Sequence, residues 1–463
     1  MLFNSLEFLL FFPLVVIAYY VVPYAYRWLL LLIASYVFYG SWRIEFLSLI
    51  ALSTIVDFNV GKRLHNTEDS GQRIKLLLIS LVCNLGLLVF FKYGSFIASF
   101  TLPQLQIPQA SKDQIIRLLA FDLPVGISFY TFQTMGYTID IFKRKIHPEK
   151  HLGKFALYVS YFPQLVAGPI ERFSHLQPQL FANHLFKYEN LSKGFRLMLY
   201  GFFIKMVIAD NIAPLVDAVF ADPLKFEQHN RWLSIFGFGW QIYADFYGYS
   251  LIAIGTAQCM GIELIDNFKT PYFARSIQDF WRRWHISLST WFRDYVFVPL
   301  GGSQVNKLIW VRNILVVFVL SGIWHGANYT FMLWGALHGL FYLMERFIKV
   351  PFLSKVPFLG WIKTYLLVSF CWVFFRAADL STVGQLLNGI TPLEEARSFS
   401  FPIELSIPFV LFLFGEFYFR KNGINQTLTK LPFAIRWSIY SVLLFFILVF
   451  SGTTNHPFIY FQF

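Results

Sequence analysis

An ionisable side chain, that of His325, stands inside the longest charge-free run of the chain. His325 lies in Ser321-Gly322-Ile323-Trp324-His325-Gly326-Ala327-Asn328, and no Asp, Glu, Lys or Arg occurs from Asn313 to Met344. A neutral imidazole takes a proton near physiological pH, so the position suits a general base. Trp324 offers an apolar wall, and Gly326 allows close approach of backbone or substrate. The plain alternative is a core histidine bonded to a neighbouring helix, and His338 in the same run is read that way. A second constellation runs from Asp279 to Tyr295, where Trp281, Trp284, His285, Leu288 and Trp291 recur at helical spacing among Arg282, Arg283 and Arg293. This pattern predicts an interfacial amphipathic helix. Its arginines either anchor the chain at the headgroups or meet phosphates. Asp245 splits the apolar stretch Gln241 to Ser250, and pairing with a Lys or Arg is the favoured reading. After Arg436 the chain has no further Asp, Glu, Lys or Arg and closes on His456-Pro457-Phe458-Ile459-Tyr460-Phe461-Gln462-Phe463. So aromatic a tail is expected to dock on the membrane or in a groove. The Tyr460 phenol, with a pKa of about 10, leaves from an ester far more readily than a sugar hydroxyl does. An acylated Tyr460 would therefore remain transferable, as a covalent relay requires.

These groups need elements to hold them. Of 463 residues, 56% are hydrophobic, 20% aromatic and only 14% charged. A soluble domain carries about 25% charge, so soluble, disordered and disulfide-scaffold classes are excluded. An all-α polytopic membrane protein remains. The net charge of +12 reads as loop charge that orients the chain in a bilayer, not as a nucleic-acid surface. Cys83, Cys259 and Cys371 stand singly, so neither a disulfide framework nor a metal site is expected.

Charge-free runs at residues 8–26, 28–42, 76–91, 123–139, 155–170, 246–262 and 437–455 predict membrane helices, about 11–14 in all with the longer runs divided. No basic stretch precedes residues 8–26 and no small-residue cleavage site follows, so a first span is expected there, not a cleaved leader. The run 313–344 should hold two helices meeting near Gly326-Ala327-Asn328. The segment 43–59 carries a charge near one end and is expected to be short or re-entrant. Loops 60–75 and 141–154 are rich in Lys and Arg, which predicts a cytoplasmic location for both and an outside N-terminus. No linker or fixed-period repeat is evident, so residues 1–463 are read as one integral-membrane domain.

Several blocks together resemble the membrane-bound O-acyltransferase (MBOAT) family. They are the His325 and His285 segments, Leu123 to Gln133, Phe162 to Arg172, Asn4 to Pro13 and Trp372 to Ala377. The alginate O-acetyltransferase branch, akin to teichoic-acid D-alanyltransferases, is the nearest in pattern. The resemblance covers essentially the whole chain. It implies a ring of helices around a central funnel or tunnel, with His325 as the family's essential histidine and His285 as the second, upstream one. It also implies an acyl donor on the cytoplasmic side, either coenzyme A or a carrier protein with a phosphopantetheine arm, with no bound cofactor. The acyl group, acetyl in this branch, would pass to an extracytoplasmic polysaccharide with the help of an SGNH-type partner. Tyr460 matches the tyrosine of the family's aromatic tail motif. On this reading His325 deprotonates the attacking hydroxyl, while Arg282, Arg283, Trp284 and Trp324 meet the donor. Asp245 and Gly326 give structural support. A transporter or flippase for an envelope precursor is the competing class, and it predicts broken helices in two related halves.

Overall fold

The computed structural model describes residues 1–104, 108–119, 124–166, 168–348, 356–388, 397–398, 403–451 and 458–459. Among the described residues the regular structure is helical and no strand is present, as expected of an all-α membrane protein. The chain divides into two compact units, residues Met1–Gly194 with Thr256–Ile265, and Phe195–Gly255 with Asp266–Phe463.

The first unit contains α1 (Leu6–Val21), α2 (Tyr24–Gly40), α3 (Leu47–Asn66), α4 (Ser70–Thr101), α5 (Ile127–Phe142), α6 (Leu152–Ser160) and α7 (Phe173–Leu180). The segment 43–59 is neither short nor re-entrant. A 3-10 turn at Ile44–Phe46 runs straight into α3, and Ile44–Asn66 is long and apolar enough to cross a membrane. The expectation fails because its buried charge, Asp57, is satisfied inside the bundle, while Arg43 and Glu45 lie exposed at its start. The Asp57 carboxylate accepts from Asn84 Nδ2 at 2.7 Å, from Thr138 Oγ1 at 3.0 Å and from Ser80 Oγ. Three donors replace the water that the carboxylate loses, and a buried polar group so bonded is tolerated.

The two basic loops meet at one end of this unit. Arg144 pairs with Glu68. Arg73 donates to Leu64 O and Thr67 O beside the end of α3, and to Ile141 O and Phe142 O at the end of α5. A cation at a helix C-terminus meets unpaired carbonyls and the negative end of the helix dipole. The basic segment 60–75, which is mostly the facing ends of α3 and α4 around residues 67–69, thus shares one end with the loop at 141–154, in keeping with a common side of the membrane.

The second unit contains α8 (Asp210–Ala221), most of α9 (Gln228–Cys259), α10 (Ile277–Trp281), α11 (Ile286–Phe292), α12 (Lys307–His325), α13 (Tyr329–Phe347), α14 (Pro357–Arg376), α15 (Ile403–Phe419) and α16 (Phe433–Phe450). The charge-free run at 313–344 divides where expected, at Gly326-Ala327-Asn328, with the Asn328 side chain capping α13 at Thr330 N. Here α12 and α13 pack backbone to backbone. A Cβ on Gly322 would lie 2.2 Å from Phe331 O, and one on Gly335 would lie 2.2 Å from Phe318 O. Small residues let membrane helices approach this closely.

Among the described residues, five helical segments are long and apolar enough to cross a membrane: Ile44–Asn66, Ser70–Gln104, Lys307–His325, Pro357–Arg376 and Phe433–Phe450. Others that the sequence reading counts as spans are shorter. An example is α5, which has 16 residues and is buried along nearly its whole length.

Candidate active site

His325 is the last residue of α12 and is buried. Its ring sits among aromatic side chains from three helices. Centroid distances are 4.8 Å to Trp324, 5.1 Å to Trp334 on α13 and 5.2 Å to Phe375 on α14. Gly326 keeps this pocket tight, because a Cβ there would fall 2.1 Å from the Phe331 ring. Trp324 also faces the second histidine, with its centroid 6.2 Å from that of His285. One indole therefore stands between the two histidines that the sequence singles out.

The amphipathic helix expected across residues 281–291 is broken. After α10 the backbone reaches His285 at φ 42°, in the left-handed region, before α11 begins. For a residue with a side chain that conformation costs about 1–3 kcal/mol and persists only when its surroundings impose it. Asn267 is the group that imposes it. Its carbonyl accepts from Ile286 N at 3.0 Å, while its Oδ1 accepts from Ser287 N at 3.2 Å and from Ser287 Oγ at 2.9 Å. The same Oδ1 lies 3.2 Å from His285 Nδ1. With Lys269 N bonded to Arg283 O at 2.9 Å, an extended segment takes over bonds that a continuous helix would make within itself. The other face of His285 meets Phe246 on α9 at 4.7 Å.

The break separates the residues expected to meet the donor. Trp284 is not at an interface. It is buried in an aromatic core, 5.1 Å from Phe268, 5.4 Å from Phe280 and 5.0 Å from Trp372. Arg283 pairs with Asp279 at 2.8 Å. Arg282 instead lines a cavity of about 470 Å³, together with Gln278, Trp281, Arg293 and Tyr342. The cavity follows α12 from Ile314 to Ser321, and Ser321 lies one helical turn before His325 on the same face. Its lining thus joins two guanidinium groups to an apolar wall directed at the His325 end of the helix. Such a site suits a ligand with anionic and apolar parts.

Asp245 has the partner that the sequence favoured. Lys205, in a π-helical turn before α8, reaches Asp245 Oδ1 at 2.5 Å and Asp210 Oδ1 at 2.7 Å, and all three residues are buried. The other Asp245 oxygen accepts the backbone N–H of Ile459 at 2.6 Å. Phe458 beside it is fully buried, 5.6 Å from Phe246 and 4.6 Å from Tyr249. The tail therefore docks inside the protein through these two residues. Phe246, which carries Phe458, is also the ring that faces His285. Tyr460 lies outside the described residues.

Several of these positions escape sequence reasoning. Asn267 follows an aspartate in a loop and has no motif to mark it. Trp334 and Phe375 look like ordinary core aromatics. Arg293 lies in the basic segment, but nothing in the spacing separates it from Arg283. His338, read as a core residue, accepts from Trp281 Nε1 at 3.3 Å.

Comparison with known proteins gives the family. Residues 148–378 match the model of the membrane-bound O-acyltransferase family. The chain is 39% identical over 393 residues to a probable alginate O-acetylase of Azotobacter vinelandii, covering 83% of this chain and 77% of that protein. It is 35% identical over 393 residues to a peptidoglycan O-acetyltransferase of Helicobacter pylori, covering 78% and 73%. A more distant similarity, 29% over 239 residues, links it to a teichoic acid D-alanyltransferase of Bacillus subtilis, covering 49% of this chain and 59% of that protein. With these matches and its apolar helices, the chain belongs to the membrane-bound O-acyltransferase family and is a multi-pass membrane enzyme that transfers acyl groups to oxygen.

Proposed function

We propose that the enzyme takes an acetyl group from a cytoplasmic thioester, coenzyme A or a phosphopantetheine carrier, and delivers it to a polysaccharide outside the bacterial inner membrane. The observation that carries this reading is the cavity beside α12. Its arginines, Arg282 and Arg293, suit the phosphates of either donor, and its apolar lining suits the thioester arm. His325 is one turn beyond its end. Alginate-like polymers and peptidoglycan are the acceptor classes that the relatives' names suggest.

In the proposed chemistry His325 accepts the proton of an attacking hydroxyl. The oxygen forms a bond to the thioester carbonyl carbon, the carbon–sulfur bond breaks, and the proton passes to the leaving thiolate. The buried aromatic surroundings of His325 exclude water that would hydrolyse the thioester. His285, fixed by Asn267 and set behind Trp324, is proposed to orient the acyl carbonyl.

Tyr460 is proposed as the first acceptor. Its phenol would form a tyrosyl ester; an acceptor hydroxyl, or the nucleophile of an SGNH-type partner outside the membrane, would then attack the ester carbonyl and take the acyl group, while its proton passes to the tyrosine oxygen and restores the phenol. Docking of Phe458 and Ile459 next to Phe246 supports this role for the residue that follows them. The N-terminus would lie outside, with loops 60–75 and 141–154 in the cytoplasm.

The test is purified protein with acetyl-labelled coenzyme A or carrier thioester. Label on Tyr460 that is lost in His325→Ala supports the whole scheme. Label reaching the polymer at the normal rate in Tyr460→Phe removes the relay. Full activity in well-folded His325→Ala removes the mechanism.

A further inference from the structure

The cavity wall formed by α10 is held from behind. With only five residues, α10 gains little from its own hydrogen bonds. It is tied instead to one stripe of α13, where His338, Tyr342 and Glu345 follow at i, i+4 and i+7 on one face. Glu345 accepts the N–H of Ile277, the first residue of α10, at 2.7 Å, and its other oxygen pairs with Lys363. Gln278 Nε2 donates to Tyr342 Oη at 3.1 Å, and Trp281 Nε1 donates to His338 Nδ1 at 3.3 Å. Gln278, Trp281 and Tyr342 line the cavity, whereas His338 is wholly buried. Its imidazole lies nearly parallel to Phe280 and Phe318, at 6.1 and 6.4 Å, with Trp334 edge-on at 5.0 Å. Enclosed by these rings, the imidazole has little freedom to turn.

We infer that His338 is a positioning residue for donor recognition: by accepting the Trp281 indole N–H, it holds that ring as a wall of the cavity. The bond requires a bare Nδ1, so the neutral imidazole carries its proton on Nε2. His338 and His325 both pack on Trp334, at 5.0 and 5.1 Å, so the wall and the proposed base share one support. His338 acts through Trp281 and does not touch the donor. The inference rests on the reading of this cavity as the donor site.

The experiment measures kcat and KM for acetyl-coenzyme A with the purified full-length enzyme and its Trp281→Phe, His338→Phe, His338→Gln and doubly substituted Trp281→Phe/His338→Phe variants. Loss of one neutral hydrogen bond corresponds to a rise in KM of about five- to tenfold, with kcat within about twofold. That rise is expected for Trp281→Phe and for His338→Phe. The double variant should be no worse than Trp281→Phe alone, because both changes remove one interaction. His338→Gln, whose amide oxygen can accept the indole N–H, should restore most of the affinity. The inference is overturned if His338→Phe leaves KM unchanged while Trp281→Phe raises it. Effects that multiply in the double variant, or a fall in kcat alone, also overturn it. If His338→Phe does not fold, His338→Gln against the shorter His338→Asn decides, and equal KM values in those two overturn the inference. The donor reading fails separately, and is recognised by an unchanged KM in both Trp281→Phe and Arg282→Ala.

Discussion

Two buried aspartates, one in each unit, solve the same problem in different ways. Asp57 is enclosed by neutral donors from two neighbouring helices, and every bond is made between fixed spans. Asp245 is held by the Lys205 ammonium on one oxygen and by the tail's own backbone on the other. The first arrangement is complete once the helices pack. The second is complete only when the tail is in place. A carboxylate meeting hydroxyls and an amide makes a lock, whereas one that recruits a backbone N–H from a distant segment makes a dock. The proposed chemistry belongs to the unit with the dock, where both site histidines and the arginine-lined cavity also lie.

If that contrast is sound, damage to the two units should separate into loss of turnover and loss of stability. The largest effect is expected for His325→Ala. Acyl transfer should fall by about 10²–10⁴, the usual contribution of a positioned base, with no matching drop in the unfolding midpoint. A variant that unfolds as readily as it loses activity would make His325 a packing residue and erase the distinction.

Asp57→Leu should do the reverse. It leaves the hydroxyls of Ser80 and Thr138 and the Asn84 amide without their acceptor in the interior, at a cost of about 1–3 kcal/mol for each donor that finds no other. Thermal unfolding in detergent would show the loss, while turnover per folded molecule should be unchanged. A specific loss of turnover would instead place Asp57 in the reaction.

Phe458→Ala tests the dock itself. Removing a buried phenylalanine costs about 3–5 kcal/mol, here charged to tail docking and not to the helices. Limited proteolysis should then cut near residue 458 while the remainder keeps its unfolding midpoint. A tail that stays protected would show that Asp245 and Ile459 hold it without the aromatic anchor.

The smallest effect concerns the first unit. His175 bonds the buried carboxylate of Glu171 at 2.7 Å, and this bond raises the His175 pKa above its usual 6.5. A raised pKa contributes stability that is fully present below 6.5 and fades as pH rises through the elevated value. The unfolding midpoint of His175→Gln should therefore fall slightly below that of the parent in mildly acidic buffer and match it at alkaline pH. A difference that grows with pH would contradict the pairing. Activity should not respond at either pH.

Much of this is legible in the sequence. The division of residues 313–344 at Gly326-Ala327-Asn328, the Lys or Arg partner for Asp245 and the docking of the tail all follow from local rules. Apolar runs have a required length, lone charges need partners, and aromatic tails avoid water. The same kind of reasoning failed where a distant residue decides the local backbone. Periodicity drew one helix through residues 281–291, but Asn267 breaks it by bonding Ile286 and Ser287. That break buries Trp284 and leaves Arg282, with Arg293, on the cavity. Arg283 looked equivalent to Arg282 in a basic cluster, though Asp279 four residues earlier was a visible partner for it. The segment at 43–59 crosses as one helix because donors on α4 and α5 accommodate the buried Asp57, and nothing in the local sequence marks those donors.

The docking of Phe458 has a consequence for kinetics. Seven peptide steps separate Phe458 from Ser451, just past α16, a reach of at most about 25 Å. A segment on so short a leash rebinds at an effective concentration in the millimolar range. A tenfold weaker dock would therefore lower the docked fraction of the tail much less than it would lower that of a separate peptide at micromolar concentration. Tethering of this kind buffers the docking against both expression level and point mutation. If the tail takes part as the proposed relay requires, such a tether would let it leave its groove and still return faster than a free peptide.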